Sequence, residues 1–141
     1  FSQQTGKIYI GLLPYIKEFC NRNDVEYTSE SDVEDDRDID CMIAKDYITS
    51  LKPMSKGQRL EIRDYQTDAI LHSLRKHRSL IVSPTASGKS LIIYTLIRYY
   101  NLLLKDKKIL ILVPTTSLVE QMYSDFIDYG WSDDYLHRRN A

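Results

Sequence analysis

The sequence predicts an α/β fold in which part of a parallel sheet follows a small α+β segment. Two short apolar runs, residues 79–83 and 108–114, have the length and composition of buried parallel strands. Helical patterns lie before, between and after these runs, so residues 59–129 read as a βαβ unit with a helix leading into it. A right-handed crossover would make the two strands parallel neighbours or near-neighbours.

The α+β segment at the N-terminus begins with a predicted strand over residues 7–13, "KIYIGLL". A helix is predicted over residues 14–22, because Pro14 suits the first helical turn, where N–H groups are spare anyway. Residues 23–40 are acidic and have few large apolar side chains. This composition predicts a mobile linker, and an acidic interaction tail is the alternative.

Three further elements lead up to the first strand of the βαβ unit. A short helix is predicted over residues 41–50, and residues 52–58, "KPMSKGQ", form a turn-rich connection. A longer helix is predicted within residues 59–77, because apolar side chains recur there near helical spacing. The residues of this predicted apolar face are Ile62, Tyr65, Ala69 and Leu74.

The remaining helices follow the two predicted strands. Residues 88–104 read as a helix that is apolar on most sides. The last helix is capped by Thr116 or Ser117 and ends near residue 129. Ser117 and Glu120 have the spacing of a capping box, which supports that beginning.

Composition places the chain among ordinary globular proteins of about one domain: it has 141 residues, 43% of them hydrophobic and 28% charged. No apolar run approaches the roughly 20 residues of a membrane span, and no basic-then-apolar leader opens the chain. We therefore expect a cytoplasmic protein with no membrane segment. Cys20 and Cys41 are too few for a disulfide scaffold, and neither they nor the three scattered histidines have metal-site spacing.

The net charge of −1 conceals an uneven distribution. Residues 1–44 hold four basic and ten acidic side chains, whereas residues 45–141 hold fifteen basic and ten acidic ones. The excess of positive charge in the second part is consistent with a modest phosphate-binding or nucleic-acid-binding surface. An excess of this size also arises often from ordinary solvent-exposed charges.

The stretch "SPTASGKS" between the first strand and its helix has the form of a phosphate-binding loop that is poor in glycine. In such a loop Gly88 would allow close backbone approach, Lys89 would reach the β- and γ-phosphates, and the Ser90 hydroxyl would bind magnesium. Ser83 stands where the strict template has its first glycine. The alternative is a polar strand-to-helix turn capped by Ser87.

Two other stretches offer groups that suit a nucleotide or a nucleic acid. The Gln66 amide presents a donor and an acceptor side by side, which matches the N6 and N7 edge of adenine, and Arg63 is nearby. An exposed helix residue is the alternative for Gln66. Thr115 and Thr116 follow the second strand at the edge where open α/β sheets bind ligands, and could hold a backbone phosphate. The alternative there is an ordinary helix cap.

Together, three segments resemble a superfamily-two helicase. They are Arg63 to Gln66, Pro84 to Ser90, and Val113 to Gln121, which are similar to the adenine-recognising motif, motif I and motif Ia of that family. The three in this order are much more specific than any one, and the resemblance runs from about residue 6 to residue 129. It implies a RecA-like, P-loop sheet, with Ala86 in the place of the usual central glycine.

The resemblance also implies an activity and a set of site residues. The parent protein would be an ATP-dependent helicase that uses ATP and Mg²⁺ and remodels branched or single-stranded DNA in recombination and repair, with RNA as the alternative substrate. It would be a monomer in the cytoplasm, and in the host cytoplasm if a phage encodes it. The implied ATP-site residues are Arg63 and Gln66 for adenine, Thr85, Ala86, Ser87 and Gly88 for the phosphates, and Lys89 and Ser90 for the triphosphate and metal. The implied nucleic-acid residues are Pro114, Thr115 and Thr116.

The predicted domains are the end of an accessory, DNA-binding domain (1–22), the linker with the short helix (23–58) and the first half of a motor domain (59–141). The family also needs an acidic motif II and a second motor domain. The only late acidic pair, Asp133 and Asp134, reads as an exposed acidic turn. We therefore expect a piece of a longer protein, which by itself binds nucleotide weakly and unwinds nothing.

Three rival interpretations remain open at the level of sequence. A small nucleotide kinase would need a lid and an arginine cluster, and neither follows the loop. The motor subunit of a restriction enzyme would carry a nuclease motif elsewhere in its gene. If the chain is a non-catalytic module that binds DNA or a partner, the substitution Lys89→Ala should change nothing in a nucleotide-binding titration.

Overall fold

The computed structural model describes residues 5–28, 37–76, 78–104 and 107–132. It divides into two units, Phe1–Glu34 and Asp35–Ala141, and each is described by itself. Regular structure in the described residues consists of five α-helices, a short 3-10 helix and one two-stranded hairpin. None of these helices combines the length and the apolar character that crossing a bilayer requires.

The first unit contains one helix, α1, Leu13–Arg22, which follows a 3-10 turn at Ile10–Leu12. The predicted helix is confirmed, with Pro14 in its first turn. The predicted strand over residues 7–13 is wrong. A strand needs a partner for its N–H groups, whereas here the Leu12 N–H is satisfied locally by the Tyr9 carbonyl at 2.9 Å.

The second unit begins with helix α2, Cys41–Ser50, as predicted. Its N-cap is Asp40, whose carboxylate accepts hydrogen bonds from the N–H groups of Met42 (2.8 Å) and Ile43 (3.1 Å). Ala44 and Ile48 are buried on the face that packs against the next helix. A side-chain cap of this kind fixes the beginning of a helix because it satisfies N–H groups that have no helical partner.

A hairpin was not predicted in the turn-rich connection. Strands β1, Met54–Ser55, and β2, Gln58–Arg59, pair antiparallel. Lys56 (φ 50°) and Gly57 (φ 76°) both adopt left-handed backbone, as a tight two-residue hairpin turn requires. The Lys56 N–H donates to the carboxylate of Asp128, at 3.1 and 3.0 Å from its two oxygens, so the hairpin tip is attached to a distant helix end.

Helix α3, Asp64–Arg75, confirms the helix but corrects its inner face. The face predicted from apolar spacing includes Tyr65, which is 45% exposed. The buried residues of α3 are Gln66, Ile70, Leu71 and Leu74. Leu74 is buried and Ile62 and Ala69 pack against the core, as predicted. The correction is confined to Tyr65 and Gln66, because two hydrogen bonds of the Gln66 side chain hold this polar residue inward.

Helix α4, Lys89–Leu103, is the centre of the second unit. On one side Ile92 and Tyr99 pack with α2 and α3. On the other side Leu91, Tyr94 and Ile97 pack with α5, Thr116–Asp128, and with Trp131. A helix covered on two sides is apolar on most of its surface, as the sequence predicted.

The beginning of α5 differs from the prediction by one residue. Thr115, rather than Thr116 or Ser117, is the N-cap, and its hydroxyl accepts from the Leu118 N–H at 3.4 Å. Ser117 lies inside the first turn. Its hydroxyl is 3.1 Å from that of Thr115, so it supports the cap instead of forming it.

The two predicted strands, residues 79–83 and 108–114, lie outside helices and strands in this structure, so the predicted parallel sheet is not seen among the described residues. Leu80, Val82, Leu110 and Leu112 are 81–90% exposed, and Ile81, Ile109 and Ile111 are 37–39% exposed. The exposure alternates with a period of two residues, as it does along a strand that is covered on one side only. In the described residues, the sheet is limited to the hairpin.

Candidate nucleotide-binding site

The loop before α4 has the backbone geometry of an anion-binding nest. Ala86 (φ 63°) and Gly88 (φ 77°) both adopt left-handed backbone, and alternation of this kind turns successive N–H groups toward one side. Within the part of the chain that the structure describes, the N–H groups of Gly88, Lys89 and Ser90 donate no hydrogen bond. These free donors open a helix of 15 residues, whose dipole also favours an anion.

Ser83 and Ser87 show how a loop with one glycine can close. Their hydroxyl groups form a hydrogen bond with each other across the loop. The Ser87 N–H also donates to the Pro84 carbonyl at 3.4 Å, which completes a turn. A serine in the place of the template's first glycine thus contributes a side-chain tie. The alternative in which Ser87 caps α4 is wrong, because the N-cap is Gly88.

The side chain of Lys89 folds back over the entrance of this loop. Its ammonium group donates to the carbonyls of Pro84, at 2.7 Å, and Ser83, at 3.3 Å. The residue is exposed to solvent. The ammonium group thus contacts the same loop that carries the free N–H groups, and both kinds of donor favour a negative charge.

Gln66 connects the start of α3 to the loop. Its carbonyl oxygen accepts from the Arg63 N–H at 3.0 Å, and its amide nitrogen donates to the Ser87 carbonyl at 2.9 Å. The Tyr65 hydroxyl donates to the same carbonyl, also at 2.9 Å. With 5% exposure, Gln66 is not the exposed helix residue of the alternative interpretation.

The same contact explains why residue 88 is a glycine. A β-carbon on Gly88 would lie 2.4 Å from the Gln66 amide nitrogen. The φ of +77° also disfavours any residue with a side chain. Gly88 is therefore favoured by its own backbone conformation, and a side chain there would have to displace the Gln66 amide from the Ser87 carbonyl.

Behind the loop, the Ser90 hydroxyl contacts an aromatic cluster. It lies 3.2 Å from the hydroxyl of Tyr129, at the end of α5. Burial raises the pKa of Tyr129 above its ordinary value, and the hydrogen bond from Ser90 opposes this in part. The phenol is therefore neutral at physiological pH, and it can donate or accept one hydrogen bond toward Ser90.

The donor set around the loop fits a magnesium ion that the nucleotide brings with it. In the described residues no group of three or more histidine, cysteine or carboxylate side chains could hold a metal. One hydroxyl, that of Ser90, lies at the loop. Magnesium in phosphate sites commonly keeps several waters and phosphate oxygens, so one or two protein ligands suffice.

The candidate nucleic-acid residues Pro114, Thr115 and Thr116 are all exposed, at the start of α5. The Thr115 hydroxyl is occupied as the N-cap, so the cap interpretation holds for this side chain. The helix N-terminus beside it still offers N–H groups that suit a phosphate. No hydrogen bond among the described residues joins these three residues to the loop at residues 83–90.

Comparison with known proteins gives the relationship. Residues 59–138 match the family described as "Type III restriction enzyme, res subunit". This chain belongs to that family. Over 119 residues it is also 36% identical to the ATP-dependent DNA helicase uvsW of Enterobacteria phage T4, covering 84% of this chain and 24% of the relative. The predicted membership of the superfamily-two helicases is confirmed.

Two solved structures show the same likeness at the level of fold. Both are crystal structures of UvsW from bacteriophage T4, with a TM-score of 0.76 and 35% identity over 84% of this chain. This chain covers 42% of one and 24% of the other. The mixed helix and strand architecture of this family member is thus shared with a helicase, and the chain spans about a quarter of the length of the curated relative.

Sequence reasoning missed two tyrosines at this site. Tyr65 was placed on the apolar face of α3, although its position next to Gln66 was a signal that both could reach the loop. Tyr129 carried no signal, because it lies 39 residues beyond Ser90. The predicted acidic turn at Asp133 and Asp134 lies outside the described residues.

Proposed function

We propose that this chain is the ATP-binding part of an ATP-dependent DNA helicase that remodels branched DNA in recombination and repair. The observation that carries the proposal is the nest before α4, with Lys89 and Ser90 beside its free N–H groups. The 36% identity to a DNA helicase supports the same activity. Because the match covers only 24% of that relative, hydrolysis and unwinding are proposed for the whole protein.

In this proposal the phosphates of ATP lie in the loop of residues 85–88, against the free N–H groups of Gly88, Lys89 and Ser90. Lys89 exchanges its two carbonyl partners for the β- and γ-phosphates. A charged phosphate is the stronger partner for an ammonium group than a neutral carbonyl. Ser90 would hold magnesium, which neutralises phosphate charge when it is bound. The catalytic roles of Lys89 and Ser90 rest on this geometry and on the family motif.

For adenine, we propose Gln66 with Arg63 in support. The Gln66 amide uses one lone pair and one hydrogen for its two contacts within the protein. One acceptor and one donor site remain, which is what the edge of adenine requires. Binding of the base would then be sensed directly by the loop, because the same amide holds the Ser87 carbonyl.

The segments at residues 79–83 and 108–114 are, in our proposal, strands of a RecA-like parallel sheet. Their support is the period-two exposure and the apolar residues on both faces, which suit a sheet that is covered on both sides.

The proposed domains are those predicted from the sequence: an accessory, DNA-binding segment to residue 22, a linker to residue 58, and the motor domain from residue 59. Pro114, Thr115 and Thr116 would contact the backbone of DNA, or of RNA as the alternative, and the protein would act as a cytoplasmic monomer, in the host cell if it is phage-encoded.

The first prediction concerns Lys89→Ala, measured by titration of this chain with Mg·ATP. We expect the dissociation constant to rise by about tenfold or more, since hydrogen bonds to charged groups contribute about 1.5–3 kcal/mol. Lys45→Ala, which removes an exposed lysine on α2, is the matched control and should bind as the original chain does. Equal affinities for all three proteins would contradict nucleotide binding at this loop.

The whole-protein activity is tested in the full-length protein. There Lys89→Ala should abolish ATP hydrolysis and the unwinding of branched DNA, while Lys45→Ala retains both. Unwinding that survives without Lys89 would contradict the motor, and hydrolysis coupled to DNA cleavage instead of unwinding would favour the restriction-enzyme alternative.

A further inference from the structure

The contact between Ser90 and the end of α5 is not explained by the nucleotide site alone. Ser90 is the second residue of α4, whereas Tyr129 follows the last residue of α5. Their hydroxyl oxygens lie 3.2 Å apart. This distance is long for an O–H···O hydrogen bond, so the serine is directed without being tightly held.

Tyr129 itself is held firmly from several directions. Its N–H donates to the Asp125 carbonyl at 2.8 Å, and its own carbonyl accepts from the Tyr94 hydroxyl at 3.2 Å. Its ring packs edge-on against that of Tyr94, with centroids 5.3 Å apart. The phenol oxygen therefore occupies a defined place beside the loop, because its backbone and ring are both fixed.

We infer that Tyr129 is a positioning residue that orients the Ser90 hydroxyl toward magnesium, an inference that rests on the function proposed above. A hydroxyl has one hydrogen and two lone pairs. If the hydrogen points to the Tyr129 oxygen, both lone pairs of Ser90 face the other way, toward the phosphates. Without an acceptor behind it, the serine can rotate and present its hydrogen to the metal, which repels it.

A tyrosine that orients Ser90 and a tyrosine that only packs beside the loop have different effects on nucleotide binding. Loss of packing near the loop would weaken nucleotide binding whether or not magnesium is present. Loss of orientation at Ser90 would weaken only the part of the affinity that magnesium contributes. The quantity to measure is therefore the ratio between the dissociation constant for ATP in EDTA and that in magnesium, here called the metal ratio.

The experiment measures the metal ratio by calorimetric titration of this chain with ATP. Tyr129→Phe keeps the ring and removes the hydroxyl, and we expect it to lower the metal ratio by about two- to tenfold, as the loss of one hydrogen bond does. Tyr99→Phe removes a hydroxyl on the other side of α4, in the cluster with α2 and α3, and it should leave the metal ratio unchanged. Thermal melting of each variant checks that the fold is kept.

Ser90→Ala and the double variant S90A/Y129F complete the cycle. If Tyr129 acts through Ser90, the double variant should have the same metal ratio as Ser90→Ala alone. An unchanged metal ratio in Tyr129→Phe, or a further loss in the double variant, would overturn the inference and leave the proposed function standing. A wild-type chain whose affinity for ATP does not depend on magnesium would overturn both.

Discussion

At the scale of single residues, the loop adopts its turn with one glycine because neighbouring side chains hold it in place. Ser83 and Ser87 bond to each other across the loop, and Gln66 holds the Ser87 carbonyl from outside. Residue 88 is a glycine because its backbone is left-handed, and a side chain there would also displace the Gln66 amide. Hydrogen bonds between side chains and the loop thus hold a turn that other loops of this kind form with additional glycines.

The prediction at this scale is that Gly88→Ala lowers the free energy of unfolding by about 1–2 kcal/mol from the left-handed backbone alone. A further loss follows from the collision with Gln66, whose amide must leave Ser87. In the background Gln66→Ala the collision is absent, so the same substitution should cost about 1 kcal/mol less. Urea unfolding of the four proteins measures this, and an equal cost in both backgrounds would contradict the contact.

At the scale of elements, the helices follow from local sequence and the strands do not. Asp40 and Thr115 cap α2 and α5 through their side chains, and Pro14 begins α1. These signals act over three or four residues and need no distant partner. The segments at 79–83 and 108–114 have strand composition but no paired strand among the described residues, since pairing depends on what lies beside them.

The prediction for elements is that Asp40→Ala lowers the free energy of unfolding by about 1 kcal/mol, the usual cost of removing an N-cap. Two N–H groups of α2 lose their acceptor in this variant. Asp46→Ala, at an exposed position within the same helix, is the control and should change stability by no more than about 0.5 kcal/mol. Equal losses in both variants would mean that net charge, and not the cap, matters.

At the scale of the whole second unit, stability depends on α4, which joins two apolar clusters. In the cluster shared with α5, Tyr94 is 1% exposed and contacts the rings of Phe126, Tyr129 and Trp131. Arg98 lies over the rings of Tyr94 and Trp131 and donates to the Tyr94 hydroxyl at 3.1 Å. The cluster therefore buries the Tyr94 ring while the Tyr94 hydroxyl keeps its hydrogen bonds.

The prediction at this scale concerns alkaline pH. Burial raises the pKa values of Tyr94, Tyr99 and Tyr129 above the ordinary value of 10.0. The unfolded chain loses these protons first as the pH rises, so it binds fewer protons than the folded chain. The tyrosine contribution to stability is therefore complete below pH 10 and is lost as the pH rises through the folded pKa values.

Tyr94→Phe removes one of these groups and should lose less stability than the original chain between pH 9 and 11, an interval of about one unit around the tyrosine pKa. Urea midpoints for both proteins measure the effect. Their difference at pH 7 gives the cost of the missing hydroxyl, which is subtracted. Parallel curves above pH 10 would show that Tyr94 ionises equally in the folded and unfolded states.

By itself, the sequence determined the family, the helices and the position of the loop. Motifs such as "SPTASGKS" and helix caps are written in consecutive residues, because the backbone contacts that they make are local. The sequence likewise placed Gln66 and Lys89 at the site, since each belongs to such a motif.

Only the tertiary structure decided which partners these residues have. Tyr129 lies 39 residues from Ser90 and Gln66 lies 21 residues from Ser87, and no periodicity encodes such separations. Packing between elements also determines that Gln66 is buried on α3. It likewise determines which side chains of the segments at 79–83 and 108–114 are exposed. The physical reason is the same in each case: burial and hydrogen bonding depend on which elements lie side by side, and local propensity does not specify that.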